Sequence, residues 1–114
     1  MINYHASIVA ALNKILPTHY EMVLHSGTAT PCISYMELTN IDDTIGDTRG
    51  YSRLQYQVKV WGSDIKELQQ YALRVDKAMR ALGFKRVGAT ELYDNASSLM
   101  QKILTYEALA LEDY

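Results

Sequence analysis

Between Tyr51 and Trp61 the chain alternates with the period of two that a half-buried β-strand shows. Leu54, Tyr56, Val58 and Val60 fall on one side; Tyr51, Arg53, Gln55, Gln57, Lys59 and Trp61 fall on the other. The first side belongs in a core. The second is polar with an aromatic near each end, an unusual surface for plain solvated sheet. After Gly62 and Ser63 the period changes. Ile65, Leu68, Ala72, Val75, Met79 and Leu82 recur at spacings of three and four, which predicts a helix with a narrow apolar stripe. A coiled coil would use such a stripe too, but one helix docked on a sheet accounts for it more simply. Asp64 and Glu67 have the spacing of a capping box at its start. Gly83 and Phe84 suit a Schellman stop, with Phe84 folding back onto Met79.

The rest of the chain reads in the same terms. Tyr4, Ile8, Ala11, Leu12, Ile15 and Leu16 repeat with helical spacing until Pro17 ends the segment. His19 to His25 predicts a first strand, "SGTATP" a turn, and Cys32 to Leu38 a second strand whose two sides are not cleanly segregated. Thr39 to Gly50 reads as a twelve-residue connection, long for a hairpin and of the kind that is often functional. "FKRVGATEL" predicts a fourth strand, weakened by Gly88. "LMQKILTYEALAL" predicts a long last strand, although Leu99, Ile103 and Tyr106 also fit a helix. The expectation is a single α+β domain over residues 1–114: a small antiparallel or mixed sheet of four to five strands with two helices packed on one face. The sheet would be mixed if the helix between the third and fourth strands returned them parallel.

Composition narrows the function classes. The 114 residues suit one domain, and a net charge of −2 with both signs dispersed gives no basic field for nucleic acid or anionic membrane. Apolar runs fall short of the roughly 18 residues that span a bilayer. "MINYHASIVAALNKIL" has neither a basic start nor a cleavage-like end, so the expected compartment is the cytoplasm. A lone Cys32 fits a reducing setting and makes no internal disulfide. The nine tyrosines stand out, because Tyr is at home in half-buried positions and in interfaces as well as in cores.

Candidate chemistry is thin. Asp42, Asp43 and Asp47 form a carboxylate cluster, but general acid–base work needs carboxylates held rigidly and desolvated, and no apolar run flanks this loop. "DDTIGD" lacks the alternating ligands and the final Glu of a calcium loop. His5, His19, His25 and Cys32 have no metal-ligand spacing. On an ideal strand His19 and His25 share a side but stand roughly 20 Å apart. Cys32 as a nucleophile would need a thiolate-favouring setting that nothing in the sequence specifies. No glycine-rich phosphate loop is present. The expectation is therefore no catalytic residue, no cofactor and no metal, in a chain that is not an enzyme. Interaction residues are a better match. Tyr35, Tyr51 and Trp61, if exposed on the outer sheet face, would offer rigid contact area. Arg53 and Lys59 are complements for a neighbour's Asp42, Asp43 and Asp47, with Arg49 in the same segment. Equally, Trp61 could cover the end of the domain's own core while the acids keep a loop soluble.

Taken together, "PCISYMELTN", "GDTRGYSRLQYQVKVWG", "ELQQYALRVDKAMRALGFKRVGATELYD" and "QKILTYEALA" resemble the small tail-completion, or tail-terminator, proteins of siphophages and prophages of Gram-positive bacteria. The resemblance runs from about Ile2 to Leu109 and rests on fold-marking motifs: P-x-I-x-Y at Pro31 to Tyr35, the "YQVKVWG" strand, "VDKAMRALGF" and the closing "YEA". It implies a structural protein that forms a ring, usually hexameric, on the last ring of the tail tube. Such a ring stops tube growth and joins the tail to the head connector or stopper, in the virion after assembly in the host cytoplasm. It implies that Thr39 to Gly50 reaches a neighbouring subunit and that the Tyr51 to Trp61 strand lines the ring wall. The partners it implies are copies of the chain itself, the major tail protein and the head connector. Another neck or adaptor component, a regulatory binding module and, less simply, a small hydrolase using Asp42, Asp43 or Cys32 are the alternatives.

Overall fold

The computed structural model describes residues 4–20, 29–45, 49–95 and 98–112; side chains are described at these positions except 41–45, 49–51 and 110–112. The elements run α1 (His5–Asn13), β1 (Thr18–Tyr20), β2 (Cys32–Ile45), β3 (Arg49–Gly62), α2 (Ile65–Ala81), β4 (Lys85–Asp94) and β5 (Leu99–Glu112). They form one five-stranded sheet in the order β1-β2-β3-β5-β4 with two helices packed on it, the expected α+β architecture. The sheet is mixed, and its directly paired parallel strands are β1 and β2. β1 runs parallel to β2, while every other neighbouring pair is antiparallel. β3 and β4 both run antiparallel to β5, so α2 does return the chain parallel to β3, but with β5 inserted between the two strands.

Both helices form where the apolar spacing places them. On α2, Leu68, Ala72, Val75 and Met79 are buried, whereas Ile65 at the edge of the stripe is partly exposed. Asp64 caps the first turn by accepting from the Lys66 amide at 3.0 Å. At the other end Gly83, at φ +98°, lets its amide reach Arg80 O while the Phe84 amide reaches Met79 O, each at 3.0 Å. That pair of bonds is the Schellman stop the sequence announced. On α1, Ile8 and Leu12 are fully buried. Past Pro17 the chain enters the sheet directly, with the Ile33 amide bonded to Pro17 O at 2.9 Å.

The core lies between this helix layer and one sheet face. Leu54, Tyr56, Val58 and Val60 supply its centre, joined by Ile33, Leu104 and Tyr106. Tyr4 and Tyr56 each meet Phe84 edge-on, with centroids 5.4 and 5.5 Å away, an arrangement aromatic quadrupoles favour.

One local reading is described only in part, and one needs correction. β1 is described only over Thr18–Tyr20, and the remainder of the expected His19 to His25 strand lies outside the described residues. More consequentially, Thr39 to Gly50 is not an irregular connection. β2 continues to Ile45 and β3 starts at Arg49, paired from Thr39↔Gln55 to Ile45↔Arg49. Polar side chains there were read as loop, but strand pairing satisfies the backbone whatever the side chains are. The mixed sides of β2 also have a cause. A bulge between Glu37 and Thr39 leaves Leu38 unpaired and swaps which residues face the helices.

Strand length sets the shape. β2, β3 and β5 are 14 residues each, about 45 Å extended, while α2 with 17 residues covers only about 25 Å. The ends of three strands therefore run on past the helices as an arm, in a domain measuring 51 × 24 × 22 Å.

Candidate interaction surface

Tyr35, Tyr51 and Trp61 would offer contact area if exposed on the outer face, and two of them are buried, with Trp61 following the alternative that it covers the domain's own interior. Tyr35 lies opposite Val58, on the side the helices cover, and is only 3% exposed. Its parity was misread because the bulge at Leu38 hides the periodicity of β2. Trp61 does point to the other side, opposite Cys32, yet is 5% exposed; its Nε1–H donates to Ser34 Oγ at 2.9 Å. A buried indole whose only polar group is satisfied by a buried hydroxyl is part of the domain's interior. Lys59 Nζ stands 5.8 Å from the indole centroid, so its cation sits beside this cluster.

Tyr51, Asp42, Asp43 and Arg49 belong to the arm, where the backbone register pairs Asp42 with Ser52 and Asp43 with Tyr51; their side chains are outside the described set. Asp47 lies outside the described residues altogether. Arg53 is exposed at the root of the arm. There, with Lys85, Glu107 and Leu109, it borders an open groove of about 380 Å³. The hairpin thus carries Asp42 and Asp43 on one strand and Arg49 and Arg53 on the next, both signs within one projecting element.

A cluster that sequence reasoning did not assemble ties α1 to β2. His5 Nδ1 is 3.2 Å from Tyr35 Oη, and His5 Nε2 is 3.1 Å from Glu37 Oε2. Burial, followed by the nearby Tyr20 phenol, pushes the Tyr35 pKa up, so its hydroxyl keeps its proton, and the direction of its bond with Nδ1 follows the imidazole tautomer. The Glu37 carboxylate can only accept, so Nε2–H is the donor of that contact. Tyr20 packs edge-on against Tyr35 at 5.3 Å and lies 5.5 Å from the imidazole. The Tyr56 phenol, 5.8 Å from the same imidazole, is pushed up to about 12, by burial first and then by the charge of Glu37. Phenols held this firmly protonated are poor nucleophiles. No signal in the sequence links residues 30 and 32 positions apart.

A matching tie holds α2. Asp76 accepts from Tyr106 Oη at 3.0 Å and from Arg80 Nε at 2.9 Å, with Arg86 at 3.7 Å. Burial alone would raise the Asp76 pKa. The Arg80 and Tyr106 hydrogen bonds and the Arg86 charge outweigh it and hold the carboxyl below its ordinary value. Tyr106, fully buried, is pushed well above a normal phenol, chiefly by burial and then by donating to Asp76.

The thiol of Cys32 is buried and burial pushes its pKa up, the opposite of what a nucleophile needs. Among the described residues no three of His, Cys, Asp and Glu converge as metal ligands, and no helix is long and apolar enough to cross a membrane. The chain matches no model of a known protein family and no curated protein.

Proposed function

We propose that this chain is a structural subunit of a phage tail, not an enzyme, which closes as a ring on the end of the tail tube, halts tube growth and joins the tail to the head connector. The observation that carries this reading is the arm: three long strands continue past the helix layer, and acidic and basic residues lie along that stretch of the chain. An element with little of its own core to cover is suited to lie against another chain, and the resemblance gives the same segment, Thr39 to Gly50, that task. Asp42, Asp43, Asp47, Arg49, Tyr51 and Arg53 are its contact residues, and alternating charge across such a contact fixes register more than it adds affinity. Heterologous contacts repeated about one axis close a ring. Tyr35 and Trp61 serve the fold of each subunit, and Lys59 stands beside Trp61.

Light scattering on the protein alone and with its cognate tail-tube protein tests this, together with the length of tubes grown in its presence. Ring-sized mass on the tube, with tube length capped, is expected. A chain that neither binds the tube protein nor limits its growth would overturn the reading. Binding to the head connector but not to the tube would assign it to the neck as an adaptor.

A further inference from the structure

β4 forms one border of the sheet, and its residues are exposed on both faces except for the half-buried Gly88 and Asp94. Val87, Leu92 and Tyr93 are each about half exposed, at 48%, 50% and 55%. Edge strands are commonly kept single by charge or by a bulge. β4 has both, but their arrangement does something else. Lys85 opens the strand and Asp94 closes it, so the strand run backwards sets the acid at one end against the base at the other.

We propose that β4 pairs antiparallel with β4 of a second copy of this chain, about a two-fold axis at Thr90, merging two five-stranded sheets into one. Faces decide whether such a pairing works, since directly opposite residues must point to the same side. Pairing with β5 places Arg86, Ala89, Glu91 and Tyr93 on the helix-covered side, opposite Tyr106, Leu104, Lys102 and Met100. Lys85, Gly88, Thr90, Leu92 and Asp94 face the other way. With Thr90 opposite its own copy, Ala89 meets Glu91 of the partner and Gly88 meets Leu92, faces matched. The bulge between Arg86 and Gly88 then drops Val87 out of the count. Arg86 consequently falls opposite Tyr93, and Lys85 opposite Asp94, again with faces matched. Every contact occurs twice by symmetry: a Lys–Asp pair, an Arg over a tyrosine ring and a leucine over a bare glycine backbone.

A register-specific cross-link tests it. Two Thr90→Cys chains would stand Cα to Cα at about 4.5–5.5 Å, within disulfide reach, whereas Leu73→Cys, exposed on α2, would not. Both sites are at the surface, so both variants keep the fold. Expected are concentration-dependent dimers in sedimentation velocity and oxidation of Thr90→Cys, not Leu73→Cys, to a covalent dimer. Lys85→Glu or Asp94→Lys alone should weaken association about tenfold or more, and the two together should restore it. A chain that stays monomeric at hundreds of micromolar, or a dimer indifferent to both charge reversals, would overturn the pairing. The inference does not depend on the tail role: a dimer blind to tube protein upholds it and sinks that role, and a tube-binding strict monomer does the reverse.

Discussion

β3 and β4 flank the same strand, β5, from opposite sides, and they make opposite use of it. Along β3 every second residue from Ser52 to Val60 is buried, because β3 lies in mid-sheet beneath the helix layer. Along β4 almost nothing is buried, because the sheet ends there and α2 reaches it chiefly through polar groups: Gln69 to Glu91 and Asp76 to Arg86. The same backbone geometry thus yields a strand that makes the domain stable and a strand that gives it a border. Stability and association are carried by different strands, so substitutions should separate them.

The largest expected effect is in β3. Leu54→Ala removes a fully buried side chain and should cost about 2–5 kcal/mol by urea unfolding. A cost under about 1 kcal/mol would mean that β3 is not the centre of the core. Next comes the tie between α2 and β5. Asp76→Ala strands the buried Tyr106 hydroxyl and should cost about 1–3 kcal/mol, while Tyr106→Phe leaves the carboxylate to Arg80 and should cost nearer 1 kcal/mol. A double-mutant cycle showing no coupling would break that tie.

Acid should act through the same group. The Asp76 carboxyl is more acidic in the folded chain, so on acidification the unfolded chain takes up the proton first. Its contribution is full above the ordinary carboxylate range near pH 4 and is lost as pH falls through the lower folded value. Asp76→Asn should flatten the stability–pH curve in that acid range and leave its slope unchanged at neutral pH. Gly83→Ala, forced into a positive φ, should cost about 1 kcal/mol. The smallest effect belongs to β4. Leu92→Ala should alter unfolding of dilute protein by no more than about 0.5 kcal/mol while still weakening association at high concentration. A large loss of stability there would erase the contrast between the two strands.

What was legible in the sequence follows the range of the physics involved. α2 with both its ends, and the inward face of β3, were readable because periodicity and capping are local: Asp64, Gly83 and Phe84 act within a few residues of where they stand. The arm was misread because strand pairing between Thr39 and Gly50 is made by the backbone and needs no apolar periodicity to form. Tyr35 was misplaced because one bulge residue, Leu38, reverses the faces on either side of it.

By itself the sequence determined the α+β class, the placement of both helices and the residues that β3 turns inward, since each rests on the spacing of neighbouring side chains. Only the tertiary structure decided strand order, the parallel β1–β2 edge, the burial of Trp61 against Ser34 and the meeting of His5 with Tyr35 and Glu37. These join residues far apart in the chain, and such contacts are set by how whole elements stack, which no local pattern encodes.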